Sequence, residues 1–194
     1  MSAGGRLVVV KVGGGLSRTA GALNHVAGAL ANAGRTFRIL VVPGGGPFAD
    51  AVRAFETGGD LSPDAAHWMA ILAMDQYAHV LAERIEGATL VEEPGAIAGA
   101  VGSAGVAVLA PYRWMRAADV LPHGWEAASD SVAAFVAGAL DAERLVLIKP
   151  VDGLPPEAAV DACFLSVLPA GMPWNAIGWE RAAELTDLLG RPPA

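Results

Sequence analysis

The strongest constraint on this chain is a set of strand-length runs that are apolar at successive positions rather than at alternate ones. LVVVKV (7–12), FRILVV (37–42) and RLVLI (144–148) each carry at most one charged residue and leave no polar face for water. Strands of this kind are buried on both sides, as in a parallel sheet covered by helices. Longer helical patterns separate the runs, at 19–33 ending on Gly34, at 48–55 after Pro47, and at 131–140. Shorter strands are expected at 89–91 and 106–110, and a closing helix at 179–189. This alternation implies an α/β fold, a mainly parallel sheet with helices on both faces. No linker, repeat or low-complexity segment interrupts it, so one domain over residues 1–194 is expected.

Ser62-Pro63-Asp64 opens a further helix running to about Ile85: a hydroxyl cap, a proline at the first position, then an acid against the positive end of the dipole. That helix is apolar on nearly every face, so it is expected to be buried on more than one side and, over residues 62–86, to form a homodimer or higher homo-oligomer interface as well. Hydrophobic residues make up 54% of the chain and charged residues 17%, as suits a packed protein. The net charge of −7 argues against binding nucleic acid or an anionic membrane surface. Cys163 is the single cysteine, so no internal disulfide can form. The first residues lack a secretory h-region, and the uncharged stretch 94–112 is broken by four glycines. It reads as a helix followed by a buried strand, in a cytoplasmic protein.

In parallel sheets ligands bind at the carboxyl ends of strands, and the unusual residues of this chain gather there. Lys11 and Lys149 are its two lysines, against eleven arginines, and both end apolar runs. Gly13 to Gly15 and Gly44, Gly45 and Gly46 form two triplets, each leaving a strand and preceding a helix. Backbone N–H groups and a helix dipole can converge on an anion at such places. A compact ammonium suits a phosphoryl group, and phosphoryl transfer asks the protein mainly to position reactants and stabilise charge. There is no Walker-type lysine loop. Gly44 to Ala49 fits G-x-G-x-x-A, but no acidic residue ends a following strand as a dinucleotide site requires. Asp130, in Ser129-Asp130-Ser131, either caps a helix or orients the lysines. Asp152 either makes an Asp-Gly turn with Gly153 or holds a ribose or a metal-bound water. The four histidines lack metal-ligand spacing, and no protein-built metal site is expected.

Together VVVKVGGGL, VVPGGGPFADAVR, ASDSVAAFVAGAL and ERLVLIKPVDGL resemble the amino acid kinase superfamily, in order and across nearly the whole chain. The resemblance implies a three-layer α/β/α sandwich that transfers the γ-phosphoryl of ATP, with Mg²⁺, to a small anionic acceptor. It implies that Lys11 stabilises the moving phosphoryl, that Gly13 and Gly14 contact the ATP phosphates, and that Gly44 to Gly46 hold the acceptor's anion. Asp130 would organise the lysines, and Asp152 and Gly153 would meet the nucleotide. The family's threonine-aspartate before V-D-G is Lys149-Pro150 here, and no later lysine-glycine-rich loop is found. Lys149 is the candidate for that missing charge. Within the superfamily the chain is most similar to the small phosphate kinases of methanofuran biosynthesis, which implies an aminomethylfuran phosphomonoester as acceptor. Arg53 would join the glycines on its phosphate, Trp125 or Trp68 would meet its ring, and Glu126 its ammonium. Uridylate, isopentenyl phosphate and amino-acid kinases stand as alternatives, as does a non-catalytic nucleotide or oxyanion binding protein of the same fold.

Overall fold

The computed structural model describes residues 5–59, 61–155 and 158–191. Six strands, β1 (Leu7–Val12), β2 (Arg38–Pro43), β3 (Thr89–Val91), β4 (Gly105–Leu109), β5 (Arg144–Lys149) and β6 (Trp174–Gly178), form one sheet. Their order is β3-β4-β2-β1-β5-β6, and every neighbouring pair is parallel. Among the described residues the α-helices are α1 (Ala22–Gly34), α2 (Gly46–Thr57), α3 (Pro63–Arg84), α4 (Pro94–Val101), α5 (Tyr112–Ala118), α6 (Ser129–Ala139), α7 (Phe164–Val167) and α8 (Leu185–Gly190). None of them is long and apolar enough to cross a membrane.

The apolar runs serve two cores because successive strand residues face opposite ways. Val8, Val10 and Val12 of β1 pack with α1, α8 and a 3₁₀ segment at Trp179–Glu184. Val9 of β1, with Leu145 and Leu147 of β5, packs with α4, α5, α6 and α7 on the other face. The two-residue period then puts Lys11 and Lys149 on the α6 face. Helix α3 touches both cores: Trp68, Ile71 and Met74 join the α6 side, while Tyr77, Ala78, Leu81 and Ile85 just beyond it join the α1 side. Much of the apolar surface of α3 is thus covered within the chain, and Leu72 remains exposed.

Ser62 caps α3 by accepting a hydrogen bond from Ala65 N–H at 3.2 Å, as its sequence predicts. The closing helix expected at 179–189 is instead the 3₁₀ segment followed by the six residues of α8. Strand β6 and the short helices α5 and α7 were absent from the sequence reading. The β6 strand is a half-exposed edge of five residues, too short and too mixed to declare itself.

From β1 the chain turns toward β2, and from β5 it turns toward β6 on the opposite side. The connections therefore diverge between the carboxyl ends of β1 and β5, the place where a parallel sheet opens a crevice. Lys11 is the penultimate residue of β1 and Lys149 the last of β5.

Candidate active site

Both lysines reach the same carboxylate. Lys11 Nζ lies 2.8 Å from Asp130 Oδ1, and Lys149 Nζ lies 2.6 Å from Asp130 Oδ2. All three residues are buried. Burial opposes charge on Asp130, yet the adjacent Lys11 and Lys149 ammoniums outweigh it and hold the carboxyl below the usual range. Lys149 is pushed down to about 8, first by burial and then by the charge of Lys11, against the pull of Asp130. Asp130 stands between the two ammoniums, and the charge of Asp161 also acts on Lys149.

A residue that the sequence reading missed frees Asp130 for this work. Asp161, thirty residues beyond Ser131 in the chain, accepts the N–H groups of Ala128, Asp130 and Ser131 through Oδ2 at 3.1, 3.1 and 3.0 Å. Its Oδ1 also takes the Ser131 hydroxyl. Asp161 therefore caps α6 from a distance, and no side chain at the helix start does so. Asp161 N–H in turn donates to Asp130 Oδ2 at 3.3 Å.

The two glycine triplets pack against each other. A Cβ on Gly14 would collide with Gly46 N, and one on Gly44 would lie 2.5 Å from Gly14 N. Gly46 has φ +56 and its Cα faces the Tyr77 ring. Part of the demand for glycine is thus close backbone approach. Gly13 N–H donates to Ile148 at 2.9 Å and Gly44 N–H to Val12 at 2.8 Å, tying the loops to β5 and β1. At the start of α2 Pro47 has no N–H and Ala49 N–H donates to Gly45 at 3.2 Å, which leaves the N–H groups of Gly46 and Phe48 without an intrahelical acceptor.

Beside the triplets is a pocket lined by Gly14, Gly15, Gly45 and Gly46, by one face of α2, by the start of α3 and by Trp125. Arg18 and Arg53 both pair with Asp50, Arg53 at 3.3 Å. The Arg53 guanidinium also lies 4.1 Å from the Trp125 ring centroid, and the Trp125 indole N–H donates to Glu56. Glu126 is exposed and outside the lining, where the acid beside Trp125 is Glu56. Trp68 is a core residue with Arg116 against its face at 4.3 Å.

His67 lines the pocket and stacks on His123 with ring centroids 4.2 Å apart. The His123 nitrogens lie 2.8 Å from Asp119 and 2.5 Å from Asp64, contacts that raise its pKa and pin the Gly124-Trp125 segment to α3. Burial, then the charge of His123, lowers that of His67. On the far side of the cluster Asp152 Oδ1 accepts Gly178 N–H at 2.8 Å, and its Oδ2 lies 3.7 Å from Arg181. That bond holds its pKa down. Gly153 follows with φ +72.

Residues 6–158 match the amino acid kinase family. The [5-(aminomethyl)furan-3-yl]methyl phosphate kinase of Methanocaldococcus jannaschii is 29% identical over 148 residues, covering 75% of this chain and 67% of that protein. Among solved structures, the uridylate kinase of Archaeoglobus fulgidus superposes with a TM-score of 0.71 at 15% identity, covering 97% of this chain and 98% of its own. The UMP kinase of Ureaplasma parvum gives 0.69 at 15% identity, with 96% and 95% covered.

Proposed function

This chain belongs to the amino acid kinase family, and from that premise we propose that it phosphorylates a small phosphomonoester, most specifically [5-(aminomethyl)furan-3-yl]methyl phosphate, with ATP. The observation that carries the reading is the buried Lys11–Asp130–Lys149 cluster beside the glycine-walled pocket. An oxygen of the acceptor phosphate attacks the γ-phosphorus, a new P–O–P bridge forms, and the bond to the β-phosphate oxygen breaks to release ADP. Charge on the three oxygens of the moving group is what the chain must stabilise. Lys11 and Lys149 supply two ammoniums there, and Asp130 keeps them apart and aimed. Lys149 takes the part that other members assign to a later loop. Gly13 and Gly14 lie against the ATP phosphates, and Asp152 and Gly153 against the nucleoside. Gly44 to Gly46 and Arg53 hold the acceptor phosphate, and Trp125 faces its ring.

Among the described residues no group of three or more acidic, histidine or cysteine side chains could hold a metal. Mg²⁺ would come with ATP, carried largely on its phosphate oxygens.

The test is ADP release with ATP, Mg²⁺ and a panel of the furan phosphate, UMP, isopentenyl phosphate, acetylglutamate and carbamate. Turnover with the furan phosphate is expected, falling by roughly 10²-fold or more in Lys11→Ala. Turnover with another acceptor alone would replace the furan and keep the chemistry. ATP binding without turnover on any acceptor would favour a non-catalytic binding protein.

A further inference from the structure

One face of α2 runs along the pocket. Gly46, Ala49, Asp50, Arg53 and Glu56 all line it, at spacings of three and four residues. The face has an electrical order. At its start are the free N–H groups of the helix and the positive end of its dipole. Next comes Asp50, held between Arg18 and Arg53. At the far end is Glu56, which accepts the Trp125 indole N–H and makes no ion pair among the described residues. Between the ends, Ala66, Ala70, Ile71 and Met74 of α3 form an apolar wall.

We infer that Glu56 is the specificity-determining residue of this pocket and recognises a cationic group at the end of the acceptor remote from its phosphate. The inference rests on the kinase reading above, which puts the acceptor phosphate at the glycines. Ten residues of helix separate Gly46 from Glu56, roughly 15 Å at the usual rise. Helical side chains lean back toward the N-terminus, and a phosphate stands in front of the first N–H groups, so the usable gap is shorter by several ångströms. A phosphomethyl group, one flat five-membered ring and an aminomethyl group make a molecule of that reach. Glu126, adjacent to Trp125 in sequence, does not line the pocket. His67 does, but burial and the neighbouring His123 disfavour its charged form, so it offers the acceptor no competing cation. Asp50 is already matched by two guanidiniums, which leaves Glu56 as the carboxylate with unspent charge.

The experiment compares kcat/KM for the aminomethylfuran phosphate with that for its analogue bearing methyl in place of aminomethyl. In Glu56→Gln, which keeps an oxygen for the indole, the amine acceptor is expected to lose about 10- to 100-fold, mainly through KM, as for a lost charged hydrogen bond. The methyl analogue is expected to change by less than about 3-fold, since it has no cation to lose. Glu56→Asp, which keeps the charge, should retain part of the preference for the amine. An equal fall for both acceptors, or none for the amine, overturns the inference and leaves the kinase reading standing. If the wild-type protein turns over neither acceptor, the acceptor assignment fails and this inference fails with it.

Discussion

Two clusters in this molecule share a charge composition, one carboxylate between two cations, in opposite surroundings. Lys11, Asp130 and Lys149 have side chains 6%, 8% and 11% exposed. Arg18, Asp50 and Arg53, at the pocket rim, are 66%, 35% and 51% exposed. In the first cluster water has been removed from every charge, so attraction and desolvation are both large and nearly opposed. Its pKa shifts are the trace of that contest: Asp130 is held down although burial pushes it up, and Lys149 gives way to about 8. In the second, water screens each pair and the arginines cover apolar surface as well, Arg53 lying on Trp125. The difference teaches that the same three charges act as a stored field when dry and as an adjustable edge when wet. Residue choice follows: compact ammoniums where the proposed function has a phosphoryl move, planar guanidiniums where a ring or carboxylate is met.

The comparison breaks most directly at Asp130. Asp130→Asn keeps the shape and leaves two buried ammoniums facing one another without their counter-charge. Stability should fall by about 3–5 kcal/mol in a denaturant titration. Under the proposed reading, turnover should also drop by roughly 10²-fold or more. A stability loss under about 1 kcal/mol would put the buried cluster on the footing of a surface pair, and the contrast would be gone.

A smaller effect comes from pH. Lys149 releases its proton near 8 in the folded protein but only near 10.5 when unfolded. Between those values the unfolded chain binds more protons, so this residue's contribution to stability rises with pH. The proposed activity moves the other way, because a neutral Lys149 cannot stabilise phosphoryl charge. The ATP kcat/KM, which reports the free enzyme, should fall above about pH 8. Lys149→Arg, charged throughout, should lack that limb at a lower overall rate. A flat profile in the wild-type protein would remove Lys149 from the charge-bearing set.

The smallest effect belongs to the rim. Asp50→Asn should change stability by less than about 1 kcal/mol. Its effect on acceptor KM should shrink as salt is raised, because exposed charges are screened over about 10 Å at 0.1 M ionic strength. A loss comparable to that of Asp130→Asn would show that exposure does not separate the two clusters.

Much of the fold was legible because the strands of this sheet have no polar side to hide. The 89–91 strand and the helix–strand reading of 94–112 reappear as β3, α4 and β4. The β6 edge was lost because Asn175 faces solvent and the strand is brief. At the site, Lys11 and Lys149 stood out by rarity and by ending apolar runs. Asp161 gave no local signal, since a carboxylate that caps a helix normally lies beside it in sequence. Glu56 and Glu126 were indistinguishable as exposed-looking acids. Glu126 was the acid named for the ammonium, whereas α2 carries Glu56 to the Trp125 indole.

By itself the sequence determined the parallel sheet, the two glycine turns at its carboxyl edge and the two lysines near the ends of apolar runs. Those follow from local rules: apolar runs, helix caps, and residues that only certain backbone positions accept. Only the tertiary structure decided that both lysines share one carboxylate, that Asp161 relieves Asp130 of capping, and that the pocket's far acid is Glu56. Each of these depends on segments distant in sequence meeting in a place water has left, and the strength of a charge is set by that place rather than by its neighbours in the chain.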